Sequence, residues 1–302
     1  MSRRIAVGVD AGATSTDVAV SINGRFDHVA QAGPANPTTL GADAVAATIV
    51  EAVLRATGGE EPDALYVGAA GAGRQKMAEH LERALRLSFS NTKHVVVGGD
   101  VETALRAAIP EGPGIVLIAG TGSVAYAENG EKVVRVGGYG YLAGDEGSAY
   151  AIGFAAIKQL TRVYDGRARA DETSALVERV LGCHDRDELI AVLYEQPVAV
   201  PKIAGMAPSI IAFAGKGNRS STTIVQTAAE DLGELVKFAA GLADLALSSP
   251  AVALAGGLLR ENSLLTTLLE ARVGDEVPGA RIVRASDDPV RAALRFAETM
   301  LG

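Results

Sequence analysis

Two short segments rich in glycine and hydroxyl side chains are the parts of this sequence best suited to bind a phosphate. The first runs Asp10-Ala11-Gly12-Ala13-Thr14-Ser15-Thr16, and the second runs Gly120-Thr121-Gly122-Ser123. Glycine lets the backbone approach a ligand closely, while successive N–H groups and the hydroxyls donate to phosphate oxygens. Each segment lies between two strand patterns, so an ordinary hairpin turn is the alternative for either one. The matched pair favours phosphate binding, because such a turn occurs twice in one chain.

Two aspartates stand at the ends of apolar strand patterns. Asp10 ends a buried strand, where a carboxylate is costly without a partner. Water on a phosphate-bound Mg²⁺ would be such a partner, since Mg²⁺ prefers oxygen ligands and keeps several waters. Asp100 closes the strand that begins at His94 and opens a helix. It is either a helix N-cap or a base that takes a proton from an attacking hydroxyl during phosphoryl transfer.

Three further segments have both a structural and a functional interpretation. Residues 137–149 carry many glycines around Tyr139 and Tyr141, which indicates a ligand-facing loop or a flexible connector. Asp145 and Glu146 are predicted to begin a helix, where they complement its dipole or accept hydrogen bonds from sugar hydroxyls. Gly256 and Gly257 form either a tight strand-to-helix turn or bare backbone for a flat base. Asn36 belongs to a turn or binds a sugar hydroxyl.

The elements that must hold these residues follow an α/β pattern that starts twice. An apolar strand, a Gly/Thr turn, an alternating strand and an Asn-Gly pair occur at 7–24 and again at 115–130. Asn-Gly between such strands predicts a type I′ hairpin. The sequence therefore predicts two duplicated α/β domains, residues 1–112 and 113–286, with the C-terminal helix 287–302 packing back on the first domain. We expect a cleft between the domains that holds both Gly/Thr turns.

Composition excludes several classes of protein. The 302 residues are 48% hydrophobic with a formal net charge of −8, which argues against a nucleic-acid partner. The longest nearly uncharged helical stretch, 203–215, falls short of the ~20 residues that cross a bilayer. No signal-peptide pattern is found at the N-terminus, and the single Cys183 fits a reducing compartment. We expect a cytoplasmic protein with no membrane partner.

These segments together resemble the BadF/BadG/BcrA/BcrD group of the actin/hexokinase/Hsp70 ATPase superfamily, and within it the N-acetylglucosamine kinase branch. The resemblance runs nearly end to end, with the motifs in the family's order. It implies actin-like (ribonuclease H-like) domains, ATP and Mg²⁺, transfer of a phosphoryl group to the 6-hydroxyl of an amino sugar, and a homodimer. It implies these roles: Asp10–Thr16 and Gly120–Ser123 on the phosphates, Gly256 and Gly257 on adenosine, Asp100 as the base, and Asn36, Tyr139, Asp145 and Glu146 on the sugar.

Two departures from the branch leave the substrate open. Tyr139 stands where animal enzymes have tryptophan, and Val124 replaces a polar residue near their substrate. Glucosamine, N-acetylmuramate or a broader range of hexoses are therefore alternatives to N-acetylglucosamine.

The sequence also bears on three other functions. A non-catalytic nucleotide or sugar sensor on the same fold would bind ligands without turnover. A dinucleotide oxidoreductase is disfavoured, because the glycines at 68, 71 and 73 lack the required spacing. An iron–sulfur activator of the same superfamily group is rejected, since one cysteine per chain cannot build the cluster.

Overall fold

The computed structural model describes residues 3–12, 15–72, 75–195, 198–260, 262–284 and 288–302. The chain divides into two compact units, one of residues 1–111 and 285–302 and one of residues 112–284. The described part of each unit is built on a five-stranded sheet. None of the helices in these ranges has the length and apolar character to span a membrane.

The first unit contains five strands and five helices within its described residues. In chain order they are β1 (Ile5–Ala11), β2 (Thr16–Ile22), β3 (Arg25–Ala32), α1 (Pro37–Leu40), α2 (Ala42–Thr57), β4 (Ala64–Ala69), α3 (Gln75–Ser88), β5 (His94–Gly99), α4 (Asp100–Ala108) and, at the end of the chain, α12 (Pro289–Thr299).

The sheet of the first unit has the order β3-β2-β1-β4-β5. The strands β1, β2 and β3 are antiparallel neighbours, whereas β1, β4 and β5 run parallel. Because side chains alternate across a strand, Val7 and Val9 of β1 face one layer, with α2 and α3, while Ala6 faces the other layer with α12. The carboxyl ends of the three parallel strands meet at one edge of the sheet, where open α/β sheets bind ligands.

The C-terminal helix α12 lies directly on β1. Gly8 makes this contact possible, because a Cβ at that position would overlap the backbone of Ala293 and Leu294. On the same face Tyr66 of β4 stacks on Phe296, with ring centroids 4.6 Å apart.

The second unit carries the remaining described elements. They are β6 (Gly114–Ala119), β7 (Ser123–Asn129), β8 (Lys132–Gly137), α5 (Ala149–Tyr164), α6 (Glu172–Leu181), α7 (Arg186–Tyr194), α8 (Val200–Ala204), α9 (Ala207–Gly215), α10 (Arg219–Leu242), β9 (Ala251–Ala255), α11 (Leu264–Glu276) and β10 (Arg281–Arg284). The core lies between β6 and β7 of the sheet and the helices α5 and α10, with Leu117, Ile152 and Leu232 fully or almost fully buried.

The second sheet repeats the topology of the first. Its order is β10-β9-β6-β7-β8, with β6, β7 and β8 antiparallel and β6, β9 and β10 parallel. Read from β8, the order of pairing is that of the first sheet. The predicted α/β fold with a duplicated architecture is therefore confirmed.

The two predicted Asn-Gly turns have different outcomes. Asn23 and Gly24 connect β2 to β3 with φ of 54° and 71°, as a type I′ turn requires. In the second unit the type I′ prediction is wrong. Asn129 pairs with Lys132 as part of the ladder, so the loop residues are Gly130 and Glu131. Gly130 has a φ of 61°, whereas Glu131 is not left-handed.

Candidate active site

The first Gly/Thr turn joins β1 to β2 at the carboxyl edge of the first sheet. The Gly12 N–H donates to the Ser15 carbonyl at 2.9 Å, and the Ala35 N–H donates to the Gly12 carbonyl at 3.0 Å. Thr16 is fully buried and its hydroxyl donates to the Gly33 carbonyl at 2.8 Å, so in this structure it supports the turn. Ser15 is exposed. The predicted phosphate residues Ala13 and Thr14 lie outside the described residues.

Asn36 is brought beside this turn by its neighbour. The Ala35 N–H bond to the Gly12 carbonyl fixes the segment, and the Asn36 carbonyl then accepts the Leu40 N–H at 3.0 Å as α1 begins. The half-buried Asn36 therefore lies one residue from a contact with the first turn.

Asp10 and Asp100 belong to one group of acids at the same edge. Burial, together with the smaller effects of the nearby charges of Asp100, Asp17 and Asp288, raises the pKa of Asp10 from 3.8 to about 7. Asp17 also has a buried carboxylate oxygen, Oδ1, with no hydrogen-bond partner among the described residues. A cation at this edge would offset the three neighbouring charges that disfavour the ionisation of Asp10.

Asp100 is not the helix N-cap that one interpretation predicted. Gly99 holds that position with a φ of −78° and a ψ of 149°, and Asp100 is the first residue of α4 itself. A carboxylate in the first turn is still stabilised by the helix dipole. Its position directly after β5 also places it at the ligand-binding edge of the sheet.

The acids fit a magnesium ion held through water and phosphate. Across the described residues, no three His, Cys, Asp or Glu side chains converge to form a complete metal site. Mg²⁺ bound to a nucleotide does not need such a set, because phosphates and waters supply most of its ligands. The buried carboxyl of Asp10 and the unpartnered oxygen of Asp17 are the acceptors that water on such an ion would use.

The second Gly/Thr turn joins β6 to β7 and is bonded to the start of α5. The Gly120 N–H donates to the Gly122 carbonyl at 2.9 Å, and the Ala149 N–H donates to the Gly120 carbonyl at 2.9 Å. Thr121 is exposed, whereas Ser123 is buried and its hydroxyl donates to the Glu146 carbonyl at 2.7 Å.

Residues 138–148, the β8–α5 loop, differ from the prediction. Asp145 and Glu146 do not begin a helix, because Asp145 has a left-handed φ of 61° and the following Gly147 a φ of 70°. The helix α5 begins at Ala149 instead, where the Ser148 hydroxyl caps it by accepting the Ala151 N–H at 3.2 Å. The two acids therefore lie in the loop, and the first-turn role is wrong.

Within this loop Asp145 contacts the second turn, and Tyr139 points to solvent. The Ser123 N–H donates to Asp145 Oδ1 at 3.3 Å. Burial raises the pKa of Asp145, an effect that the N–H groups of Ser123 and Gly140 oppose. Tyr139 is 80% exposed, so its ring is available to a ligand.

A small cavity next to the loop contains acids that the sequence interpretation missed. About 270 Å³ in volume, it is lined by Tyr139 and Glu146 of the loop and by Asp231 and Glu234 of α10. Burial raises the pKa of Asp231, and Glu146, Glu234 and Glu230 add to the effect. The signal in the sequence was an acid between the buried Ala228 and Leu235 on one helix face.

The two glycines that follow β9 have different structural roles. Gly256 has a φ of 90°, and a Cβ there would clash with the backbone of Ala119. It therefore forms the tight turn of the structural interpretation. Gly257 is exposed with open space where a Cβ would be, and its nitrogen would lie 3.9 Å from a Cβ on Gly120. Bare backbone at Gly257 thus adjoins the second turn.

The comparisons with known proteins decide the family. The sequence model of the BadF/BadG/BcrA/BcrD ATPase family matches residues 7–297 of this chain. The chain belongs to this family. An N-acetylmuramic acid/N-acetylglucosamine kinase of Clostridium acetobutylicum is 27% identical over 300 residues, which cover 97% of this chain and 98% of the relative. An N-acetyl-D-glucosamine kinase of Dictyostelium discoideum is 27% identical over 324 residues, covering 98% of each.

A solved structure supports the fold of this family member. A candidate N-acetylglucosamine kinase from Chromobacterium violaceum superimposes with a TM-score of 0.76 and 23% identity, covering 97% of this chain and 99% of that one. At this identity the likeness establishes the two-domain α/β fold and nothing finer.

Proposed function

We propose that this member of the family is an ATP-dependent amino-sugar kinase. The observation that carries the proposal is the pair Asp10 and Asp100. Two carboxyl groups interact at the carboxyl edge of the first sheet, beside the Gly/Thr turn that the sequence predicts to bind phosphate. The two full-length relatives bear the names of amino-sugar kinases, which supports the same reaction class.

Asp100 acts as the general base. A sugar hydroxyl attacks the γ-phosphorus of ATP, the bond from that phosphorus to the β–γ bridging oxygen breaks, and ADP leaves. The hydroxyl proton passes to the Asp100 carboxylate as the new oxygen–phosphorus bond forms. The position of Asp100 supports this role, because it is the first residue of α4 and directly follows β5, at the edge where open α/β sheets bind ligands.

Magnesium completes the phosphate chemistry when it is bound. Mg²⁺ would neutralise charge on the β- and γ-phosphates, and Asp10 would hold it through water. The phosphates are assigned to the first turn (Gly12, Ala13, Thr14, Ser15 and Thr16) and to the second (Gly120, Thr121, Gly122 and Ser123). Within these turns the Thr16 and Ser123 hydroxyls support the backbone, whereas the exposed Ser15 and Thr121 are open to a ligand. Gly257, with Gly256 shaping the turn before it, offers the backbone against which adenine lies.

The sugar is assigned to Asn36, Tyr139, Asp145 and Glu146. The exposed Tyr139 ring supports stacking on one face of the sugar. The carboxylates of Asp145 and Glu146 would accept hydrogen bonds from the sugar hydroxyls. We propose N-acetylglucosamine as the substrate and its 6-hydroxyl as the acceptor.

Val124 packs against the β8–α5 loop, since its side chain would lie 3.2 Å from a Cβ placed on Gly138, and it therefore limits the position of the loop. Glucosamine, N-acetylmuramate and a broad hexose range remain the alternatives.

The remaining parts of the proposal concern the whole protein. A cytoplasmic location is supported by the single cysteine, which is buried in the second unit. The homodimer rests on the family resemblance.

A panel of sugars tests the function. The purified chain with Mg²⁺ and ATP should release ADP with N-acetylglucosamine, glucosamine or N-acetylmuramate well above the rate without sugar. Glucose and N-acetylmannosamine serve as comparisons for specificity. Nucleotide binding without ADP release in any arm would contradict a kinase and favour a sensor.

A further inference from the structure

The β8–α5 loop and the second turn are bonded into one unit. The Ser123 hydroxyl donates to the Glu146 carbonyl at 2.7 Å. The Ala149 and Tyr150 N–H groups at the start of α5 donate to the Gly120 and Thr121 carbonyls at 2.9 and 3.3 Å. A change in the loop is therefore transmitted directly to the turn proposed to bind phosphate.

Asp145 is the side chain at the centre of this unit. Its Oδ1 accepts the Ser123 N–H at 3.3 Å, and the Gly140 N–H within the loop helps to lower its pKa. The carboxylate therefore joins the loop to the second turn, and hydrogen bonds to an ionised group are stronger than neutral ones.

Gly122 shows how closely the carboxylate packs on the turn. A Cβ on Gly122 would lie 2.7 Å from Asp145 Oδ2 and 2.8 Å from Oδ1, so a larger residue there would displace the carboxylate. Glycine at this position therefore lets Asp145 pack directly on the turn. Asp145 also keeps a left-handed φ of 61°, a conformation that costs free energy for a non-glycine residue.

We propose that Asp145 is a positioning residue for the second turn, and through it for the nucleotide, in addition to its assigned contact with the sugar. This inference rests on the proposed function. It assigns to one carboxylate the task of holding the backbone of Gly122 and Ser123, so that the second turn keeps the conformation in which it binds phosphate. Loss of the carboxylate then weakens nucleotide binding even when no sugar is present.

Two substitutions separate the carboxylate from the backbone conformation. Asp145→Gly removes the acceptor and tolerates the left-handed φ, whereas Asp145→Asn tolerates it and keeps one acceptor oxygen. Asp244→Gly is the matched control, because Asp244 is also left-handed at 58°, belongs to the same unit and contacts Lys132 instead of the turn. None of the three introduces new backbone strain.

The readouts are amide hydrogen exchange of residues 120–124 and the affinity for Mg·ADP, both measured without sugar. Asp145→Gly should speed exchange in this segment and weaken Mg·ADP binding, each by about tenfold, which corresponds to the loss of a charge-assisted hydrogen bond. Asp145→Asn should stay within about threefold of the native protein, because a neutral amide oxygen still accepts the Ser123 N–H. Asp244→Gly should change neither readout.

The outcomes distinguish this inference from the proposed function. Unchanged exchange and unchanged Mg·ADP affinity in Asp145→Gly would overturn the positioning role, and so would tighter Mg·ADP binding, which would mean that the carboxylate competes with phosphate. Neither readout requires turnover. A native protein that phosphorylates no sugar would therefore contradict the kinase proposal while the exchange result still decides the role of Asp145.

Discussion

Asp10 shows how a single carboxyl group can be suited to a cation. Its pKa near 7 arises first from burial and then from Asp100, Asp17 and Asp288. The sequence predicted that an acid at the end of a buried strand needs a partner. It did not predict Asp17 and Asp288 as neighbours, because their approach depends on the pairing of β1 with β2 and on the return of the chain to the first unit.

The raised pKa of Asp10 predicts a pH-dependent stability. Between about pH 4 and pH 7 the folded protein holds a proton on Asp10 that the unfolded chain has released. The free energy of unfolding of the native protein therefore falls as pH rises through this window, by a contribution on the order of 4 kcal/mol. The Asp10→Asn variant should not show this decrease in the free energy of unfolding, because an amide does not titrate in this pH range.

Urea denaturation at several pH values measures the effect. The stability of Asp10→Asn relative to the native protein should rise from pH 4 to pH 7 and become constant above it. An exposed acid of the same unit, Asp27, provides the control through Asp27→Asn. Parallel profiles for native protein and Asp10→Asn would show that Asp10 titrates normally.

At the scale of elements, the sequence was most informative where local chemistry decides the structure. Apolar runs and Asn23-Gly24 predicted the strands and the first hairpin, because the left-handed turn is a local preference of these residues. The same pair at Asn129-Gly130 gave a wrong prediction of the turn type, because the register of β7 with β8 places the loop one residue further along the chain. Register is set by the packing of whole strands, which a dipeptide does not reveal.

The β8–α5 loop shows the same limit. Two acids before a helical pattern looked like a first helical turn, yet the contact of Asp145 with Ser123 holds its backbone in a non-helical conformation. That contact joins residues 22 positions apart, so it has no local signature. The glycine-rich surroundings predicted an irregular segment here, but its extension to Asp145 and Glu146 was not predicted.

Gly8 provides a test of how α12 is held. Gly8→Ala would place a Cβ inside the backbone of Ala293 and Leu294, so the helix must shift away from β1. We expect a loss in the free energy of unfolding of about 1–3 kcal/mol or more, the range found for overpacked cores. Chemical denaturation followed by circular dichroism measures it.

Gly33→Ala is the matched control for Gly8. It lies in the same unit, its φ is outside the left-handed region, and a Cβ there would have no neighbour within 4 Å. Its stability should stay within about 0.5 kcal/mol of the native value. Equal effects of the two substitutions would mean that close approach of α12 is not what Gly8 permits.

For the whole molecule, duplication places a Gly/Thr turn at the same point of two equivalent sheets. In the first copy, two acids lie at that edge. Asp10, a predicted phosphate residue, ends the apolar part of β1, and Asp100, the predicted base, follows β5. The second copy instead carries Gly257 and the β8–α5 loop with Asp145. The two copies thus keep one topology but differ in the side chains at this edge.

Direct detection of the sugar phosphate is the most decisive measurement. Native protein, Asp100→Asn and the exposed-site control Asp43→Asn are incubated with Mg·ATP and N-acetylglucosamine or glucosamine, and phosphorylated sugar is quantified by mass spectrometry. We predict product from the native protein and Asp43→Asn, and a rate about 10²- to 10⁴-fold lower from a folded Asp100→Asn, as loss of a general base requires. Absence of any phosphorylated sugar from the native protein, or equal rates with Asp100→Asn, would contradict the account.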